Sequence, residues 1–408
     1  MTQHFIERLG HRGDGIASGP VFAARTLPGE VVEGEPEDGR IAASRIVTPS
    51  PDRVAPPCVH YKACGGCALQ HASDTFVADW KASVVRAALA AQGLDAPVRR
   101  IATSPPNSRR RAALSGRRTK KGALVGLHAR ASDTITAITE CHLLHPSILA
   151  ALPALEELTA LGGSRKGELT FHVTVSESGL DISAAGGKPL DLSLREGLAL
   201  WCGTHDIARL TWGDETVAAA RPPVQVFGPA RVVPPPGAFL QATAEGQAAL
   251  TASVRDAVGQ ADHVLDLFAG CGTFALPLAE RAEVHAVEGA RAMLDALDHG
   301  WRHASGLRSV TTEARDLFRR PLLPEELKRF DAVVIDPPRA GAEAQTEELA
   351  QSDVKVIAAV SCNPVTFARD ARRLADAGFR IDWIDVVDQF RWSSHVELAA
   401  RLSRGHIA

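Results

Sequence analysis

The chain has 408 residues, 45% hydrophobic and 23% charged, with a formal net charge of -3, as in an ordinary globular protein of two or three domains. The near-neutral balance excludes a globally basic or acidic protein, so any nucleic-acid surface must be local. No run of about 18 uncharged apolar residues occurs and MTQHFIERLG lacks a signal-peptide pattern, which predicts a monomeric, cytoplasmic protein with no membrane partner.

In chain order, residues 1–54 show short apolar runs broken by Gly and Pro turns, GHRGDGIASGPVF and TLPGEVVEGEPEDGR, and predict a small antiparallel barrel. PSPDRVAPP (49–57) reads as a linker. A central domain, 55–236, is predicted to be mixed α+β. It begins with a helix from about Asp74 to Gln92 and continues in strands at GALVGLHA, ELTFHVTVS and ARLTWG. RVVPPPGAF (231–239) is a second proline-rich joint. Beyond it, across 237–408, the runs HVLDLFAG, EVHAVEG, SVTTEA, DAVVIDPP and VKVIAAVSC each precede a helix or loop. That alternation predicts an α/β fold with a doubly wound, largely parallel sheet.

Seven cysteines in an intracellular chain are not expected to form disulfides. Cys58, Cys64 and Cys67 give the spacing Cys-x5-Cys-x2-Cys, and Cys141 is the nearby candidate for a fourth ligand. Four thiolates suit zinc or an iron-sulfur cluster, and the lopsided spacing favours the cluster. Residues 96–132 then hold ten Lys or Arg and no Asp or Glu. We read Arg109, Arg110, Arg111, Arg117, Arg118, Lys120 and Lys121 as the RNA-binding part of a phosphate-contacting strip.

LDLFAGCGTFAL (265–276) is a strand, a Gly-x-Gly turn and a helix, in which Gly270 and Gly272 allow close approach of a ligand. A dinucleotide fits this pattern as well. Asp266, four residues ahead of Gly270, instead suits a cationic ligand bearing an amino group. Glu288 falls where an acid would bind ribose hydroxyls. Asp316, Asp336 and Cys362 mark three further strand ends, which a doubly wound sheet gathers at one crevice.

Cys362 precedes a helix with Asn363 as N-cap, Pro364 at its first position, an apolar stripe of Phe367, Ala371 and Leu374, and Gly378 at its stop. The helix N-terminus is expected to favour its thiolate. A thiolate beside a methyl donor can add to C6 of uracil and so make C5 nucleophilic; a base must then remove the C5 proton. Glu397 is the only carboxylate in SSHVELAARL (393–402), read as the last strand, with His395 on the same face.

LDLFAGCGTFALPLA, VVIDPPRAG, SCNPVTFARD and the terminal HVE resemble, in order and spacing, the bacterial RNA uracil-5-methyltransferases, over nearly the whole chain. The resemblance implies a class I methyltransferase sheet, Cys362 as nucleophile and Glu397 as base. It also implies S-adenosylmethionine contacts at Gln241, Phe268, Thr273, Glu288, Asp316 and Asp336. The barrel resembles the TRAM domain, an oligonucleotide-binding-type fold. Members acting on 23S rRNA carry a [4Fe-4S] cluster with this cysteine spacing, which implies rRNA ahead of tRNA as substrate. FRWSSHVE and Thr273 depart from the usual family pattern. Two rival readings are a cluster-bearing RNA-binding protein without activity and a dinucleotide-dependent oxidoreductase, the latter disfavoured by Asp266.

Overall fold

The five apolar runs of the C-terminal half become parallel strands in a computed structural model that describes residues 2–42 and 44–405. Their sheet has eight strands, in the spatial order 310–314, 283–288, 263–267, 332–335, 356–361, 397–403, 380–388 and 98–103. Alternate residues face opposite ways along a strand. Leu265, Val333 and Ile357 therefore enter one core, and Val264, Val334 and Ala358 the other. With both faces covered by helices, each strand is apolar nearly throughout, as a parallel sheet requires. Strand order reverses between 263–267 and 332–335, where such folds open a crevice at the carboxyl ends.

One strand departs from the parallel pattern, and one joins the sheet from outside the C-terminal half. Glu397–Ser403 runs antiparallel to both Val356–Ser361 and Arg380–Asp388. Val98–Thr103 pairs with Arg380–Asp388 at the edge, so the sheet takes in a segment that the predicted boundary at 237 assigned to the central domain. The preceding helix, Asp74–Ala90, is capped by Ser73, whose Oγ accepts from the Phe76 amide at 3.2 Å. Its buried Ala82, Val85 and Leu89 join the core of this sheet. Residues 74–103 thus belong with the C-terminal unit.

That helix also carries Lys81, fully buried, whose Nζ donates to Asp388 Oδ1 at 2.5 Å and to the Phe390 carbonyl at 3.1 Å. Removing one member of a buried pair leaves the other charge without compensation. Lys81→Met is therefore expected to lower stability by about 3–5 kcal/mol, read as a fall in the midpoint of denaturant unfolding.

The remaining central residues form a seven-stranded sheet that includes the three predicted runs as Ala123–His128, Leu169–Ser176 and Arg209–Trp212. Helices Leu152–Gly162 and Leu192–Thr204 bury Leu155, Leu158 and Leu198 against Phe171 of this sheet. Residues 3–48 form a six-stranded sheet around Ile6, Ala23 and Val32. Its outer strands, Arg40–Ile41 and Arg45–Thr48, do not pair with each other among the described residues, so the ladder does not close into the expected barrel. No helix among the described residues is long and apolar enough to cross a membrane.

Candidate active site

The carboxyl ends of the parallel strands open onto a cleft of about 1600 Å³. Gln241, Phe268, Gly270, Thr273, Glu288, Asp316, Asp336, Cys362 and Glu397 all line it. Most of the residues singled out in the sequence therefore share one wall. Phe268 and Gly270 hold positive φ angles of 62° and 55°. A Cβ on Gly270 would meet nothing within 4 Å, so this turn leaves room for a ligand. The loop is held by Glu288, whose carboxylate accepts from the Gly270 amide at 3.1 Å and the Ala290 amide at 2.9 Å. Phe318 packs against Phe268 with ring centroids 5.5 Å apart, which forms an aromatic side to the cleft.

Two predicted ligand residues lie elsewhere. At Gly272 a Cβ would come within 2.8 Å of Leu297 and 2.9 Å of Leu276, so its role is close packing. Asp266 occupies a core position of the strand, fully buried, and is not part of the cleft wall. Its carboxylate has no side-chain hydrogen-bond partner, and the backbone of Ala275 is the one group that favours its ionisation. Burial, followed by the charges of Asp336 and Glu288, pushes its pKa well up. Asp336 is raised to about 7 by burial. A buried acid beneath a cleft lined by four more, Glu288, Asp316, Asp336 and Glu397, suits a cationic ligand such as a sulfonium carrying an amino group.

Cys362 follows the strand Val356–Ser361 and leads into the helix Pro364–Asp376, capped by Asn363 as expected. The expected thiolate is not favoured. Burial, then the charges of Glu397 and Asp336, raise the Cys362 pKa, and only Arg339 and the local backbone oppose them. The helix end is outweighed by two carboxylates in a site of low polarity.

Glu397 begins its strand; the predicted start at 393 is four residues early. That strand is antiparallel and its last pair is Ser361 with Leu398, one residue short of Cys362 and Glu397. Both residues line the inner cleft at the mouth of the sheet, and the Glu397 charge acts on the Cys362 thiol. Burial, then Asp336 and Asp388, push Glu397 up to about 8, against a hydrogen bond from Gln389 and the charge of Lys81. A carboxyl tuned to that range can exchange a proton at neutral pH.

Cys362 and Arg339 also line a second, outer cleft of about 2230 Å³. Its other walls come from the N-terminal sheet, the helix Asp74–Ala90 and the segment Ser394–Val396. The thiol thus stands on the wall between two clefts, open to both. Arg391 and Trp392, which depart from the family pattern, tie their loop down: both donate to Asp74, Trp392 Nε1 at 3.1 Å. The Trp392 carbonyl accepts from Ala68 and Leu69, just past Cys67, at 2.8 and 2.9 Å. Gln389, Lys81, Asp388 and Arg339 were not found by sequence reasoning. The polar pair Asp388-Gln389 ending an apolar strand, close before HVE, was the available signal.

The basic strip does not hold together. Arg110 donates to the Gln241 carbonyl at 3.2 Å and to Gln247 Oε1 at 2.7 Å. Arg109 and Arg111 stack on Phe390 and Phe239, each 5.2 Å from the ring centroid. Burial lowers the pKa of all three; half-buried, they brace the joint between sheets. Arg117 pairs with Glu168 at 2.8 Å. Of the residues read as RNA-binding, only Arg117 has an ion-pair partner among the described residues; Arg118, Lys120 and Lys121 lie at the 118–121 end of the hairpin.

The thiols of Cys58, Cys64 and Cys67 each feel the charge of Cys141, and burial raises all three. Among the described residues, however, no group of three or more His, Cys, Asp or Glu is placed to hold a single metal ion. The predicted ligands are thus neighbours without forming a closed ion site.

Comparison with known proteins agrees with this geometry. Residues 235–405 match the model of the tRNA (Uracil-5-)-methyltransferase family. An RNA methyltransferase of Brucella suis is 44% identical over 403 residues, 98% of this chain and 97% of that one. The 23S rRNA (uracil(1939)-C(5))-methyltransferase of Vibrio cholerae is 32% identical over 97% of this chain and 94% of its own. In fold, the chain is similar to the Pyrococcus abyssi tRNA (uracil-54, C5)-methyltransferase in complex with S-adenosyl-L-homocysteine. That likeness has a TM-score of 0.78 at 22% identity and covers 98% of this chain and 99% of the other. With a cofactor cleft, a cysteine and a carboxyl placed together, and relatives matched end to end, the chain belongs to the S-adenosylmethionine-dependent RNA (uracil-5-)-methyltransferases.

Proposed function

We propose that this enzyme methylates C5 of a uridine in 23S rRNA through a covalent bond between Cys362 and C6. The observation that carries the reading is the position of Cys362 between the two clefts, beside Glu397. Bound in the inner cleft, S-adenosylmethionine supplies an electrophilic methyl group. Gln241, Phe268, Gly270, Thr273, Glu288, Asp316 and Asp336 would hold it. The uridine enters from the outer cleft, turned out of an unpaired segment so that C5 and C6 can reach the thiol.

Cys362 releases its proton to solvent and adds to C6, and C5 of the resulting enolate takes the methyl group. Glu397, as carboxylate, removes the C5 proton; the electron pair of that C–H bond reforms C5=C6 and the S–C6 bond breaks. The thiolate is regenerated, and one proton leaves per methyl group transferred. The N-terminal sheet, which we read as a TRAM domain, together with the half-buried Arg118 and the exposed Lys120 and Lys121, holds the surrounding RNA by its phosphates.

The preference for rRNA rests on the Vibrio cholerae relative, similar over nearly the full length of both chains, and on the cysteine set. We read Cys58, Cys64, Cys67 and Cys141 as ligands of a [4Fe-4S] cluster. Supporting this, the four thiols are mutual neighbours, and a four-iron cube holds its thiolates farther apart than one tetrahedral ion would. Protein purified without oxygen is expected to be brown and to contain iron and sulfide. A colourless protein with stoichiometric zinc would overturn the assignment.

Mapping 5-methyluridine by mass in RNA from a deletion strain tests the substrate. Loss of one site in 23S rRNA, with tRNA unchanged, is expected. Loss confined to tRNA would make this a tRNA enzyme, and loss from neither would contradict the proposed activity.

A further inference from the structure

We propose that Gln389 is a positioning residue for proton removal: its side-chain amide holds the Glu397 carboxyl against Gln241 in the orientation that faces C5. The inference rests on the reading of Glu397 as base and adds a residue to it.

Gln389 follows the strand Arg380–Asp388 and is buried, 2% exposed. Its Nε2 donates to Glu397 Oε2 and to Gln241 Oε1, the latter at 2.5 Å. Its Oε1 accepts from the Thr243 amide at 3.4 Å. One amide therefore joins the carboxyl beside the thiol to a side chain of the cofactor cleft. Both ends of the amide are engaged, so the side chain cannot turn over without exchanging donors for an acceptor at Glu397. Lys81 fixes the backbone around it from both sides, through Asp388 and the Phe390 carbonyl.

The charges acting on Glu397 are Asp336, from the end of the strand two places away, together with Asp388 and Lys81, and its own charge acts on the Cys362 thiol. Asp336 and Asp388 both oppose its ionisation. Lys81 favours it from within a pair with Asp388. Gln389 is the hydrogen-bond donor that favours the carboxylate directly, because an N–H bonded to an anion stabilises it. Loss of that donor would both release the carboxyl and move its ionisation to higher pH.

The test is Gln389→Met, close in volume but without a donor, assayed from pH 6 to pH 9 beside Glu397→Gln. At pH 7 release of methylated RNA is expected to fall by about tenfold or more. The rising limb of the pH profile should shift upward, so that activity partly recovers at pH 9. Enzyme-RNA adduct should accumulate on a denaturing gel. Gln389→Glu, which keeps the shape but sets a second carboxyl against the first, should shift the limb further and serves if the Met variant does not fold.

An unchanged profile, or an equal loss at every pH without adduct, would overturn the inference, since damage to packing alone moves neither. If Glu397→Gln traps adduct while both Gln389 variants turn over normally, Gln389 alone is misassigned. If Glu397→Gln turns over normally, the reading of the base fails first.

Discussion

Replacing Cys362 with alanine is expected to reduce methyl transfer by about 10⁴-fold or more, with S-adenosylmethionine still bound in calorimetric titration. C5 of uracil is too weak a nucleophile to take the methyl group until a thiolate has added at C6. Cys362 is the cysteine on the wall shared by both clefts, whereas Cys271, also in the inner cleft, is buried with its pKa pushed up to about 12. The thiol acts on the base and contributes one short side chain to a cofactor cleft built mainly by other residues. Binding and chemistry should therefore separate in this variant. Full activity of Cys362→Ala would rule out the covalent route.

Glu397→Gln is expected to do the reverse: methyl transfer to C5 proceeds once, and the enzyme then remains attached to its product. Without a base the C5 proton stays in place, and the S–C6 bond cannot break by elimination. Release should slow by about 10²–10⁴-fold, and the adduct should appear as a gel shift under denaturing conditions. In the unaltered enzyme the release step should rise with pH. Glu397 is pushed up to about 8; below that value it is mostly protonated and cannot accept a proton, above it the carboxylate predominates. This limb should be missing from the variant, and a variant that releases product with the original profile would remove Glu397 from the base role.

The crevice residues were legible because they end strands buried on both faces, and such strands announce themselves as uninterrupted apolar runs. HVLDLFAG and VKVIAAVSC could hardly be anything else once helices intervened. The partnership of Cys362 with Glu397 followed from chemistry, but its geometry did not. It depends on the strand Glu397–Ser403 entering antiparallel between two strands that precede it in the chain, a long-range choice that local patterning does not record. The same holds for Val98–Thr103, which crosses a predicted boundary to edge the sheet.

Charge misled in three places. Arg109, Arg110 and Arg111 read as a phosphate strip, yet aromatic rings and glutamine side chains from the C-terminal unit desolvate them. The helix beginning at Pro364 argued for a thiolate at Cys362, but burial and the charges of Glu397 and Asp336 oppose it. Asp266 read as a residue touching the ligand; its place in the strand alternation buries it behind the cleft. In each case the deciding neighbour comes from a distant part of the chain.

The central claim is that sulfur and carboxyl act in sequence on one base. Mass spectrometry of the adduct trapped by Glu397→Gln with RNA and S-adenosylmethionine tests it most directly. After digestion, a peptide containing Cys362 should carry a single 5-methyluridine nucleotide. A cross-link to any other residue, or an adduct in which the uracil carries no methyl group, would contradict the account.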